Sequence, residues 1–396
     1  MSDLIVRAYD VRFGDAIFVS VPDMENGQLV ERTILFDFGN SLGTEGGADA
    51  VFEPVIDDLI ARLGGRPLDL YVMTHEHLDH VQGLFFSAKT FNKRIHAKQA
   101  WLTGSSDPHY YDGNTHPGAK KQKIAALAAM RLVGARLTAA QAASPFVGSL
   151  LAVNDPKATA DCIDFLRTQL TDPGGVHYVD RTTDLGPLWT GPGTIELLAP
   201  EANTADYYGA FKGFASGLGK LGIESFDDLD GIAPTSPPSA PPSGVDAGAF
   251  YNLLDVRHGA ASTLLEIDQA ANNTSIVLLL EWKGWRLLFS GDAEKRSWRM
   301  MDARTQLAPV HFLKISHHGS GTGLPPDPIL EKVLPKPAAG QPVTRRAIVS
   351  TFPNTYRGVP DTKMLTSLGD RVQVFSTRDE PHHPFVELRF PDTGPG

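Results

Sequence analysis

Apolar residues alternate with polar ones, or run together in short stretches, over positions 4–9 and 16–21. The two stretches flank Asp10-Val11-Arg12-Phe13-Gly14-Asp15, a pattern that predicts a β-hairpin with a glycine turn. Residues 32–39, Arg-Thr-Ile-Leu-Phe-Asp-Phe-Gly, predict a further strand closed by glycine. Over 49–63 the apolar positions Val55, Ile56, Leu59, Ile60 and Leu63 recur at helical spacing, so an amphipathic helix is expected there. Leu68-Asp69-Leu70-Tyr71-Val72-Met73 is mostly apolar and free of glycine and proline, which predicts a buried strand. Val81-Gln82-Gly83-Leu84-Phe85-Phe86 could open a helix, with Gly83 counting against it.

The pattern loosens from about residue 101 to 262. Helices are expected at 119–133 and 158–170, with Ile163, Leu166 and Leu170 marking one face of the second and Cys162 packing on or near it. Residues 233–244, Ala-Pro-Thr-Ser-Pro-Pro-Ser-Ala-Pro-Pro-Ser-Gly, predict a mobile loop. Order returns at 275–280 and 286–289, two strands joined around Lys283-Gly284 as a hairpin. Further strands are expected at 310–315 and 347–350, with a final pair at 371–376 and 385–390. Strand-rich halves on either side of a helical stretch predict an α/β fold of αββα type, two packed sheets flanked by helices. The whole of 1–396 reads as one domain with a mainly helical and loop insertion at about 101–262.

Composition narrows the setting. Hydrophobic residues make up 42% of the 396-residue chain and charged residues 21%, enough for a sizeable core. A net charge of −10 argues against coating nucleic acid through overall charge, though not against a local basic groove. With Cys162 as the only cysteine, no intrachain disulfide can form. The opening residues lack a signal-peptide pattern, and no apolar run approaches the ~20 residues of a membrane span. A soluble cytoplasmic protein is expected.

The chemistry concentrates in Thr74-His75-Glu76-His77-Leu78-Asp79-His80, directly after the predicted strand 68–73. Loops at the carboxyl ends of strands are where open α/β sheets place their sites. His75 and His77, two apart in extended backbone, project to one side and can hold one metal ion. Asp79 and His80 follow where the chain turns and can reach a second ion. Histidines with carboxylates suit zinc, with manganese or iron as further options. Glu76 reads as solvent-side rather than as a base.

This stretch resembles the His-x-His-x-Asp-His signature of the metallo-β-lactamase superfamily. Later motifs resemble one branch of it, the nuclease-like domain of ComEC-type competence proteins and related phosphorylcholine esterases. The resemblance implies a metallo-β-lactamase-like four-layer αββα sandwich. It makes Asp292, in Ser290-Gly291-Asp292, the carboxylate that bridges two ions, as a two-metal site requires; an N-cap role fits the same position. It also makes Ser316-His317-His318-Gly319-Ser320 a site loop, one histidine completing the Asp79/His80 ion and the other serving substrate or a ligand. The order of the two stays open; the expected ligands are His75, His77, Asp79, His80, Asp292 and His318, with Asp79, His317 and His318 as catalytic groups. Asn273 and Ser275 match an element placed near substrate in the branch. Asp15 and Asp37 match its opening motifs in part and read equally as turn carboxylates.

Two departures stand out. Where the branch has a histidine in a late loop, this chain has Val359, and Arg357 is the candidate replacement as a phosphate contact. No flanking pattern singles out His96, His109, His116, His177 or His258 as a third ligand for the His75/His77 ion.

Two ions with such ligands bring a bridging water near neutral pKa and polarise a substrate oxygen, giving hydrolysis by a metal-held hydroxide. No Gly-x-Ser-x-Gly elbow is present, which disfavours a serine hydrolase. The resemblance favours a phosphodiesterase or nuclease acting on DNA, RNA or a smaller phosphodiester. Lys120, Lys121, Lys123, Arg131 and Arg136 either line a substrate groove or form a solvated helix face. The alternatives are hydrolysis of a carboxylic ester, lactone or thioester, and a metal-binding interaction subunit docking through the helical insertion.

Overall fold

The computed structural model describes residues 2–40, 48–113, 115–134, 150–151, 153–189, 191, 193–212, 215–216, 218, 225, 260–304, 307–352, 359–379 and 384–395. The expected loop at 233–244, Arg136, His258 and Arg357 lie outside them.

Two sheets form the centre. The first has seven strands in the order β13-β1-β2-β3-β4-β5-β6: β1 Leu4–Tyr9, β2 Ile17–Glu25, β3 Gln28–Phe36, β4 Leu68–Met73, β5 Ala97–Thr103, β6 Val176–Val179 and β13 Phe385–Phe390. The second has six, in the order β12-β11-β10-β9-β8-β7: β7 Gly193–Ala199, β8 Val277–Trp282, β9 Trp285–Phe289, β10 Phe312–Lys314, β11 Arg346–Val349 and β12 Gln373–Ser376. Side-chain alternation along each strand sorts residues into layers. In β4, Leu70 and Val72 face the second sheet, while Tyr71 and Met73 face outward. Val6, Val19 and Ile34 meet Leu278, Leu287, Phe312 and Ile348 between the sheets.

Helices cover both outer faces. Helices α1 Ala48–Leu63 and α2 Leu78–Thr90 pack on the first sheet through Val55, Leu59, Val81 and Leu84. Beyond α3 Pro117–Gly134, helix α4 Pro156–Gln169 joins them through Ile163 and Leu166. Past α5 Ala260–Asn272, the helices α6 Lys295–Asp302 and α7 Asp327–Val333 cover the second sheet through Trp298, Met301 and Val333. This is the expected four-layer αββα arrangement. Helices α3 and α5 share a smaller core of their own, with Ile124 and Ala128 against Ile267 and Ala270.

The local expectations differ in places. The first hairpin forms, but β2 runs on to Glu25 and pairs with a β3 that starts at Gln28, because Asn26-Gly27 (φ 52° and 78°) makes the turn that a right-twisted pair favours. The insertion expected over 101–262 is not helix and loop throughout: β6 and β7 within it extend the two sheets. The last two strands do not pair with each other. β12 lies parallel to β11 at the edge of the second sheet, and β13 lies antiparallel to β1 in the first. Gly83 does not break α2; a Cβ there would come within 2.5 Å of the Phe38 ring, so the helix can rest on β3's exit only with glycine.

Candidate metal centre

The His75–His80 loop leaves β4 and is held on three sides by backbone hydrogen bonds. Asp15 N–H donates to Asp79 O at 3.0 Å, Phe38 N–H to His80 O at 2.8 Å, and Ile276 N–H to Thr74 O at 2.9 Å. Contact is close enough that a Cβ on Gly39 would lie 2.3 Å from the Asp79 carbonyl carbon. The loop is therefore fixed before any ligand arrives.

Six expected ligands converge there, all buried: His75, His77, Asp79, His80, Asp292 and His318. His75, His80 and Asp292 each offer a ligand atom within 4.8 Å of the others, and so do Asp79, His80 and His318. His75 Nε2 lies 3.0 Å from His77 Nδ1. Asp292 Oδ2 lies 3.2 Å from His80 Nε2 and 3.3 Å from His318 Nε2, which is 3.3 Å from Asp79 Oδ2. Yet His80 Nε2, His318 Nε2 and Asp79 Oδ1 are buried with no hydrogen-bond partner among the described residues. Buried polar atoms left so are costly, and lone pairs that converge without pairing fit divalent cations.

Groups outside the sequence-derived ligand set prepare this geometry. Asp37 accepts from Thr74 N–H at 2.8 Å and Thr74 Oγ1 at 2.7 Å, and its Oδ2 is 2.8 Å from His80 Nδ1. A carboxylate behind an imidazole fixes which ring nitrogen faces the metal. Lys314, fully buried at the end of β10, donates to Gly291 O at 2.8 Å and Asp292 Oδ1 at 3.0 Å and pairs with Asp15. So Asp15 and Asp37 belong to the centre rather than to surface turns. Lys314 escaped the sequence reading because a lysine at a strand end normally reaches water; only its burial reveals the role.

Charge states follow from this crowding. Burial lowers His75, and the neighbouring His80 and His77 push the same way. Burial works to raise Asp79, but His80 and His318 outweigh it and hold the carboxyl below its usual range. Burial likewise opposes the charged form of His318, yet Asp292 and Asp79 push it up to about 10. That value lies above the ~6.5 of an unfolded histidine. The pair thus stabilises the metal-free protein fully below about 6.5 and loses that contribution as pH rises through about 10. Metal must displace this proton, so loading near neutral pH should release protons and tighten as pH is raised. Calorimetric titrations in two buffers of different ionisation heat would check this; equal heats, with affinity flat across the range, would mean a neutral His318.

The structure orders the two late histidines. Both have left-handed backbone, φ 50° for His317 and 51° for His318, which non-glycine residues adopt at a cost of about 1–3 kcal/mol each. The turn separates the rings: His318 enters the centre, while His317 Nδ1 lies 3.2 Å from Glu294 Oε1. Pro360, beside Val359, packs on Gly319, so the late loop abuts this turn.

Asn273 and Ser275 have protein partners in place of the expected substrate contact. Asn273 donates to Gln269 O at 2.6 Å and accepts from Ser297 N–H at 3.0 Å, and Ser275 Oγ accepts from Asp292 N–H at 3.1 Å. Both are buried, and Ser275 positions the Asp292 loop. Among the other histidines, His109 is exposed beside Asp112 and His116 stacks on Tyr110. Glu76 is half-buried, and Lys123 of α3 reaches it at 3.3 Å.

Residues 28–187 match the family model described as the metallo-beta-lactamase superfamily. No curated protein sequence matches the chain. Among solved structures the chain is similar to a mutant of the CmlA beta-hydroxylase, at 14% identity and a TM-score of 0.36. That alignment covers 98% of this chain and 54% of the other, so the chain spans about half the length of that protein. The sequence motif, the two-sheet architecture and the match over residues 28–187 agree on a metallo-beta-lactamase-like fold.

Proposed function

We propose that the protein is a two-metal hydrolase of phosphodiesters, with nucleic acid as the leading substrate class. The observation that carries this reading is the posture of Asp292. Its Oδ1 is occupied by Lys314 Nζ and by the His317 backbone N–H, each at 3.0 Å, which leaves Oδ2 free to face His80 and His318, while Asp292 also offers an atom within 4.8 Å of His75. A carboxylate so held is suited to bridge two ions. His75 and His77 would hold one of them, and Asp79, His80 and His318 the other. Bound there, zinc or manganese would supply a water of near-neutral pKa and a Lewis acid for the substrate oxygen.

The chain's own residues shape what reaches that point. Beside His77 opens a cavity of about 250 Å³, lined by Lys123 and Arg167 together with Met130, Ile163 and Ile267. Glu76 lines the same cavity and pairs with Lys123 at 3.3 Å, so Arg167 carries the wall's net positive charge and favours an anionic substrate. The likeness of the Asp292 and His317-His318-Gly319-Ser320 loops to ComEC-type nuclease-like domains supports the same choice. Within the described residues no helix is long and apolar enough to cross a membrane. With Cys162 buried and unpaired, we place the activity in the cytoplasm.

Kinetics on bis-(p-nitrophenyl) phosphate, single- and double-stranded nucleic acid and a lactone, with metal-loaded protein, test the reading. Phosphodiester cleavage that chelation abolishes is expected. Turnover of the lactone alone would sink it in favour of an ester hydrolase.

A further inference from the structure

A second set of ligand-type side chains lies beside the centre. Asp268 of α5, Glu294 just before α6, and His317 offer ligand atoms within 4.8 Å of one another. Both carboxylates are only 4% exposed. His317 Nδ1 is 3.2 Å from Glu294 Oε1, and its Nε2 is 3.8 Å from Asp268 Oδ2. Asn272 is fully buried and lies against all three, with Nδ2 at 3.2 Å from Asp268 Oδ2, 3.0 Å from Glu294 Oε1 and 3.4 Å from His317 Nε2. Its Oδ1 has no hydrogen-bond partner among the described residues.

Two carboxylates buried this close repel, and besides His317 and Asn272 only the Asn154 amide, donating to Asp268 Oδ1 at 3.1 Å, and the His77 ring, 3.9 Å from that oxygen, face Asp268 from the described residues. The Asn272 amide adds hydrogens but no charge. Its orphaned oxygen is the second sign. Half a turn of the amide exchanges Nδ2 and Oδ1 and presents an oxygen to the same three groups. Beside two carboxylates that orientation is favourable only with a cation between them.

We propose that Asp268, Asn272, Glu294 and His317 form a further divalent-cation site, distinct from the two-ion centre. Two carboxylates, an amide oxygen and one imidazole suit manganese or magnesium better than the histidine-rich centre does. The His317 side chain is 17% exposed and gives an ion a way in. The His317 backbone N–H donates to Asp292 Oδ1 at 3.0 Å and Asp268 Oδ1 lies 3.9 Å from His77 Nε2, so the site adjoins the main centre on two sides. An ion here stands beside any substrate held there, whatever its class.

Equilibrium dialysis of the full chain against Mn²⁺, followed by elemental analysis, tests this. About three ions per chain are expected, falling to about two in Asp268→Asn and in Glu294→Gln. A wild-type content of two, unchanged in both variants, would make the cluster a closed ion-pair network and overturn the site. A wild-type content of two that falls to one in Asp268→Asn would assign Asp268 to the His75/His77 ion, which also overturns it. Should the carboxylate variants not fold, Asn272→Asp carries the test. An added carboxylate should tighten the weakest Mn²⁺ binding step roughly tenfold or more by calorimetry; unchanged or weaker binding refutes the proposal.

Discussion

Asp292→Ala should empty the centre and lower hydrolysis by at least ~10³-fold, because losing a bridging anion removes several kcal/mol of charge stabilisation. Its Oδ2 is the only carboxylate oxygen within 3.3 Å of both His80 and His318 Nε2 among the ion pairs described, so no neighbour can replace it. Asp79 approaches His318 at 3.3 Å but His80 only at 3.9 Å. Asp79→Ala should therefore weaken the ion shared with His318 and leave the His75/His77 ion in place. Elemental analysis distinguishes the two patterns. Full occupancy in Asp292→Ala would remove the bridging assignment, and with it the two-metal mechanism. His318→Ala should lose metal from the same centre, whereas His317→Ala should keep both ions there, since its ring faces Glu294.

The second large effect belongs to Lys314, which is 1% exposed and whose ammonium reaches Asp15, Asp292 and the Gly291 carbonyl. Burial opposes its charge, but Asp15 and Asp292 outweigh that and keep it protonated throughout the accessible pH range. Lys314→Met leaves two buried carboxylates without their cation. Removing one partner of a buried pair costs about 3–5 kcal/mol, so the metal-free variant should melt far below the wild type. Divalent metal should restore part of the loss, because the ions supply positive charge to Asp292. Thermal unfolding with and without Mn²⁺ measures both. A metal-free variant as stable as the wild type would mean that Lys314 does not balance these carboxylates.

The sequence by itself determined the histidine-rich loop and the architecture around it. His75, His77, Asp79 and His80 are close in sequence and follow an apolar strand, so local periodicity was enough to place them at a strand end. The same holds for Asp292 and His318, each just past a strand, and for the layers, since burial on both faces of β4 shows as a mostly apolar run interrupted only by Asp69. The Asn26-Gly27 turn was not read from the sequence, although its dipeptide favours positive φ.

What only the tertiary structure decided depends on contacts far apart in the chain. β6 is 4 residues long, and neither it nor β7 stands out as an apolar run; they are strands because β5 and β8 offer them unpaired edges. The roles of His317 and His318 are set by two successive left-handed residues, a backbone state that sequence spacing does not encode. Asn273 and Ser275 read as polar groups near a site, and only packing against Gln269, Ser297 and Asp292 shows them facing protein. Lys314 meets Asp15 across about three-quarters of the chain's length. Asp268, Glu294 and His317 come from three separate segments. A buried charge is recognisable only through the groups folding brings to it, and for these residues those groups are remote in sequence.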